Sequence, residues 1–152
     1  MGSINHMRVL MGGVVAGLVI NIGEFILNGP ILGGLIEADL ANLGLGAPTG
    51  SDIAIFVTHG FVIGIIAVSL YAAIRPRFGA GPGTAVKAGV MVWVLVWSTF
   101  LAMNATMDLF SDSVQWITMA WGAVEMPLAT VAGAWLYQEA EAATQAPVGA
   151  EA

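Results

Sequence analysis

Residues 53–74 read IAIFVTHGFVIGIIAVSLYAAI and are followed at once by Arg75-Pro76-Arg77. These 22 residues contain no Asp, Glu, Lys or Arg. A helix of about 20 mostly apolar residues is what crossing about 30 Å of hydrocarbon requires. The stretch therefore predicts a membrane-spanning helix, and the Arg-Pro-Arg that closes it marks both its end and the side on which it ends.

Three more stretches of the same kind flank it. One covers 9–28 and is predicted to stop before Gly29 and Pro30, where proline lacks the N–H that continues a helix. The others cover 85–106 and 114–137. Together they predict an all-α chain, an antiparallel four-helix bundle embedded in the membrane. A single four-span domain fills residues 1–137, and a flexible cytoplasmic tail, Ala- and Glu-rich with Pro147, fills 138–152. His6 and Arg8 before the first span resemble the start of a signal peptide, but no convincing small-x-small cleavage site follows and three more spans come after it, so the first helix is expected to stay on the protein.

Composition removes whole classes of function. Of 152 residues 58% are hydrophobic and 9% charged, where a soluble domain carries about 25% charged residues. No cysteine is present, so disulfides, thiolate metal sites and cysteine nucleophiles drop out. Four basic residues against ten acidic ones are too few to displace counterions from a phosphate backbone, which excludes nucleic acid as a partner.

The placement of those four basic residues sets the expected orientation, because Lys and Arg near span ends resist translocation. Arg8 precedes the first span, and Arg75, Arg77 and Lys87 lie between the second and third. That side is predicted to be the cytoplasmic face of a bacterial inner membrane, with both termini on it. The opposite loops carry Glu37, Asp39, Asp52, Asp108 and Asp112 and no basic residue. In the long outer loop Ile31, Leu32, Leu35, Ile36, Leu40 and Leu43 alternate with Glu37, Asp39 and Asn42 at near-helical spacing, which predicts an amphipathic interfacial helix on the outer surface or a lid over something beneath it.

Pairs of small residues four apart recur in every span: Gly13 and Gly17, Gly60 and Gly64, Ala85 and Gly89, Ala129 and Gly133. Such pairs let helix backbones touch where lipid supplies no hydrophobic force between helices. Set against this apolar background, a few polar side chains stand out, since a charge at the centre of a span costs about 2.5–3.5 kcal/mol on insertion scales. Asn21, Glu24 and Asn28 fall on one helical face with Gly13 and Gly17. His59 lies in the second span, Asn104 in the third, and Trp121 and Glu125 in the fourth, with Pro127 two residues on. At about 1.5 Å per residue, Glu24 sits about 6 Å from the outer end of its span, His59 about 9 Å, Asn104 about 3 Å and Glu125 about 15 Å. All belong to the outer half of the bundle.

Asn21, Glu24, Asn28, His59, Asn104, Trp121 and Glu125 are therefore the predicted site for a ligand or proton. Two readings fit them. They hold the helices in register by hydrogen bonding to one another, or they form a small-molecule, proton or cation site open to the outer face, with the two glutamates supplying charge and the His59 imidazole switching. No HxxxH or ExxH spacing, nucleophile triad or phosphate loop is present, so no metal, no catalytic residue and no cofactor is expected. The segment Gly60 to Gly79, with its Leu70-Tyr71-Ala72-Ala73-Ile74-Arg75-Pro76-Arg77-Phe78 core, and the earlier Asn21, Glu24, Leu27, Asn28 and Gly29 resemble small bacterial four-helix membrane proteins. That resemblance covers most of the chain, implies an inner-membrane protein with no established activity, and carries no site residues. The reading that follows is a non-enzymatic binding or accessory subunit whose partners are the lipid bilayer and a small lipophilic ligand or a partner membrane subunit. The alternative is a proton- or ion-coupled carrier, or a membrane enzyme using a glutamate as general base on a quinone or isoprenoid.

Overall fold

A computed structural model describes residues 4–137; the predicted tail at 138–152 lies outside the described residues. The described chain is all-helical: α1 His6–Ile26, α2 Gly33–Asn42, α3 Gly50–Phe78, α4 Pro82–Met107 and α5 Asp112–Trp135. Three helical stretches are long and apolar enough to cross a membrane: His6–Ile31, Gly50–Phe78 and Pro82–Met107. α5 has the length but is diluted by Gln115, Glu125 and three tryptophans, and it is not among them.

Local chemistry explains where these helices begin and end. Asn5 caps α1 by accepting from the Arg8 N–H. Thr49 and Asp52 cap α3 reciprocally, each side chain meeting the other residue's backbone N–H. Pro82 opens α4 at the first-turn position that needs no donor. Between α3 and α4 only residues 79–81 are non-helical, with Gly79 and Gly81 at positive φ. The predicted stop at Arg75-Pro76 is overrun by one turn, since α3 continues through Pro76 to Phe78.

The expected break at Gly29-Pro30 is also replaced. Leu27–Ile31 forms a π-helical turn, in which the Leu32 N–H donates to the Leu27 carbonyl at 2.8 Å. A π turn reaches one residue further than an α turn, so it steps past the N–H that Pro30 lacks and lets the chain run almost without pause from α1 into α2. α2 has no buried residue of its own. Leu32, just before it, is fully buried with Leu27 and Val114, and Ile36, Phe110 and Trp121 pack on this small cluster. The Asp39 carboxylate accepts from the backbone N–H and hydroxyl of Ser111 at 3.0 and 2.9 Å, tying α2 across the start of α5.

α1 packs on α3 and α5, α4 packs on α5 and α3, and α3 also touches α5. Small residues make these contacts. A methyl group added at Gly64 would strike the backbone of Gly13 and Gly17; one at Gly133 would strike the Gly12 carbonyl and Ala16; one at Gly89 would strike Met126 and Pro127. Buried alanines, Ala16, Ala67, Ala88 and Ala129 among them, fill the space between. Large apolar side chains point outward: Ile22, Phe25, Phe56, Leu95, Val124 and Leu128 are each 60% exposed or more. Small residues inside and bulky apolar ones outside is the reverse of a soluble domain, and it suits a surround of lipid.

At the opposite end from α2, Tyr71 and Tyr137 meet edge to face with centroids 5.9 Å apart, and the Arg75 guanidinium lies 5.5 Å from the Tyr137 ring. Lys87 covers Phe78 nearby at 4.7 Å.

Close contact at glycine makes a direct prediction. Gly64→Ala will destabilise the protein by about 1–3 kcal/mol through overpacking, whereas Gly34→Ala on α2, where a methyl meets nothing within 4 Å, will leave stability unchanged or raise it slightly. Equilibrium unfolding in mixed detergent micelles measures both.

Candidate functional site

The stripe of small and polar residues predicted along α1 divides in two. Gly13 and Gly17 face Ile65, Phe61 and Gly64 of α3, and Asn21 joins them: its amide donates to the Gly17 carbonyl at 2.8 Å and to the Val57 carbonyl of α3 at 3.2 Å, packed over Gly60. Asn21 is thus a strap between α1 and α3.

Glu24, one turn further, meets α5 instead. Its carboxyl lies within hydrogen-bonding reach of the Glu125 carboxyl. The Asn28 amide, carried on the π turn, donates to the Glu24 carbonyl at 2.9 Å and to its carboxylate at 2.6 Å. The π turn that carries the chain past Pro30 thus also supplies Glu24 with its donor.

Glu125 is 6% exposed. Its Oε1 accepts from the Trp121 indole N–H at 3.2 Å, while its Oε2 has no donor among the described residues. Gly23 brings the α1 backbone directly against this carboxyl; a methyl group there would overlap Oε1. Two carboxyl groups in contact can hydrogen-bond only if one carries a proton, and two adjacent negative charges in a low-dielectric setting repel strongly.

Glu125, but not Glu24, forms part of the wall of a groove of about 680 Å³ between α1 and α5, bounded by Ile22 and Gly23 on one side and Trp121, Val124, Glu125 and Leu128 on the other. Apart from the acid and the indole, the lining is apolar. Among the described residues no basic side chain lines it. Arg75 lies at Tyr137, two residues past the end of α5, whose last residue Trp135 is 135 − 125 = 10 residues from Glu125, about 15 Å. Arg8 lies 24 − 8 = 16 residues before Glu24, about 24 Å. Among the described residues no three His, Asp or Glu side chains gather into a group able to hold a metal.

His59 stands apart from the pair. It is exposed on α3 and lines a separate shallow groove of about 430 Å³ with Ala54, Ile55, Thr58 and Val62. The structure thus brings Glu24, Asn28, Trp121 and Glu125 together and leaves His59 outside. Asn104 serves a different place again. It is buried, its amide donates to the Phe110 carbonyl at 2.9 Å and to the Gln115 side-chain oxygen, and its own oxygen accepts from the Phe110 N–H at 2.7 Å. It fixes the turn between α4 and α5.

Sequence reasoning overlooked Gln115, Gly23 and the indole donors of α4. Trp97 donates to the Thr118 carbonyl at 2.9 Å and covers Gly122, and Trp93 donates to the Met119 carbonyl at 3.1 Å. These bonds hold the segment of α5 that presents Trp121 and Glu125. A small residue one position before Glu24 was the available signal for Gly23. Nothing in the spacing marked Gln115 as the partner of Asn104.

Comparison with protein-family models, with curated proteins and with solved structures finds no match.

Asn104→Ala would leave Gln115 and the Phe110 N–H without their partner, an expected loss of about 1–3 kcal/mol. Gln115→Ala should cost a similar amount, and the double variant less than the sum, because one bond is counted in both. Unfolding of the three variants in micelles gives the coupling energy; strict additivity would mean that the two side chains act independently.

Proposed function

We propose that this chain is a four-span protein of the bacterial cytoplasmic membrane, a single helical domain that binds a small lipophilic molecule in the groove between α1 and α5 and performs no chemistry on it. The observation that carries this reading is the Glu24–Glu125 pair. Glu125 of this pair is buried, one of its oxygens lacks a donor among the described residues, and its side chain lines an otherwise apolar groove between α1 and α5. A purely structural pair would be expected to satisfy its own oxygens inside the bundle. A groove of several hundred Å³ with one or two fixed polar groups has the proportions of a small-molecule site.

The fourth span is α5. Its 24 residues reach about 36 Å, and its buried Gln115 and Glu125 meet Asn104 of α4 and Glu24 of α1. Orientation is supported by the clustering of Arg8, Arg75, Arg77 and Lys87 at the end of the bundle formed by the start of α1, the end of α3 and the start of α4. α2 then lies on the outer surface as an interfacial helix. A reporter that is active only in the cytoplasm will score positive when fused at either terminus and negative when inserted at Gly46.

A carrier is the second reading, favoured by two carboxyl groups brought together inside the bundle. The two readings part in liposomes. A binder takes up a lipophilic probe without moving it or a proton across the bilayer, whereas a carrier does both and loses both in Glu125→Gln.

For the groove itself, a photoreactive apolar probe should label Ile22, Val124 and Leu128 in the wild type. Gly23→Leu fills the groove and displaces the carboxyl, and is expected to lower probe affinity by about tenfold or more. Equal labelling in wild type and Gly23→Leu would overturn the assignment of the groove as the site.

A further inference from the structure

We infer that α3 is the contact helix of a parallel, two-fold homodimer in the membrane, in which the imidazole of His59 hydrogen-bonds the partner's His59. The inference rests on α3 as a membrane span and is independent of the α1–α5 groove.

His59 is badly placed for a side chain on its own. It lies about two and a half turns from the start of α3, inside a stretch long and apolar enough to cross a membrane. It is exposed and makes no hydrogen bond among the described residues. Exposed hydroxyls in these stretches turn back on their own helix instead: Thr58 donates to the Ala54 carbonyl, and Ser98 and Thr99 donate to that of Leu95. Asn21, the polar side chain of α1 that reaches α3, is committed to the Gly17 and Val57 carbonyls. Hydrocarbon offers no water to an imidazole, so the ring needs a partner from another chain.

The rest of the same face defines that partner. His59, Ile66 and Ala73 recur every seven residues, and Ile55, Val62 and Ser69 recur every seven between them. This alternation of four and three is the spacing of the a and d positions of a coiled coil, with His59 at an a position. All six are exposed except Ser69, which is half-buried. They lie on the side of α3 opposite Gly60, Gly64 and Ala67, which face the bundle. In a parallel pair, an a side chain enters a hole made by four residues of the facing helix. For His59 those four are Ile55, Thr58, His59 and Val62, and together with Ala54 they line the shallow groove of about 430 Å³. The concavity on α3 therefore has the lining that the partner's His59 would enter.

A second copy fits this seam for reasons of symmetry. Two copies inserted the same way run parallel, and a two-fold axis sets each a residue against itself. A neutral imidazole has one donor and one acceptor nitrogen, so one ring can donate to its twin, whereas Lys, Asp or Glu would repel its own copy. A single polar residue at an a position is also what fixes register and strand number in coiled coils. Midway along α1 and α5 the exposed residues are apolar, Val14, Leu18, Val124 and Leu128 among them, and they give a neighbour nothing that sets a register.

The chain has no cysteine, so single cysteines can be placed in otherwise wild-type protein, reconstituted in phosphatidylcholine liposomes at low protein-to-lipid ratio and oxidised. Ile55→Cys, Val62→Cys, Ile66→Cys and Ala73→Cys are expected to give a disulfide-linked species of twice the chain's mass. Leu18→Cys, Leu95→Cys and Leu128→Cys, at exposed positions on the other helices, are expected to stay monomeric. Energy transfer between donor- and acceptor-labelled chains then measures association in the same vesicles. His59→Leu is expected to weaken it about tenfold. His59→Asn, which can also donate to and accept from its copy, should keep it within about threefold of wild type. The cysteine series keeps the inference falsifiable if His59→Leu fails to fold. Absence of cross-links along the seam, or equal cross-linking from α1, α4 and α5, overturns the inference. Association of folded His59→Leu equal to wild type overturns it too. Cross-linking of Val62→Cys in native membranes to a chain of another mass assigns the seam to a different subunit and likewise overturns it.

Discussion

At Gly64 the backbone of α3 comes so close to Gly13 and Gly17 of α1 that no methyl group fits between them, and the other helix positions follow from that contact. In lipid the exclusion of apolar surface from water does not draw one helix to another, so association depends on dispersion and on how near two backbones can come. The α1–α3 contact turns the next face of α1 toward α5, where Gly12 meets Gly133 near one end and Gly23 meets Glu125 near the other. A carboxyl held against bare backbone has little room to move. The precision of the acid pair is thus a by-product of the same close packing that assembles the helices.

Much of this arrangement could be read in the sequence, and the parts that could not share a cause. Hydropathy located the helices because an apolar run of about 20 residues without a charge matches the thickness of a bilayer and exceeds what a buried strand or a short core helix needs. The small-residue pairs at Gly13 and Gly17 and at Gly60 and Gly64 were visible as pairs, and the structure sets them against each other. Which way each helix faces was harder. On a soluble helix the polar side announces solvent, but here apolar residues surround α3 on every side, so nothing local told His59 from the residues that turn inward. Its separation from Glu24 and Glu125 is a result of packing that only the assembled helices reveal.

The proline at position 30 was misread for a related reason. Gly29-Pro30 carries the ordinary signature of a helix end, and the wider π turn defeats it by shifting the hydrogen bonds along by one residue. The reason is tertiary. Leu27 and Leu32, on either side of the proline, are both fully buried with Val114, and a continuous helical path keeps both in that cluster. Asn104 and Gln115 illustrate the converse: Asn104 stands out in its apolar span but its partner, eleven residues away in sequence, does not, and they become a pair only when the turn between α4 and α5 folds back.

Filling the space between the helices with glycine and alanine also settles where traffic can occur. Backbones that touch leave little room for water between them, so under the proposed function a ligand would reach Glu125 from the flank of the helices. In the membrane reading that side is the acyl-chain region of the bilayer, and the concentration that governs occupancy is the one dissolved in the lipid. A compound scarce in water but strongly partitioned would then saturate the groove at low total dose, and the bilayer itself would act as the first filter on what this protein meets.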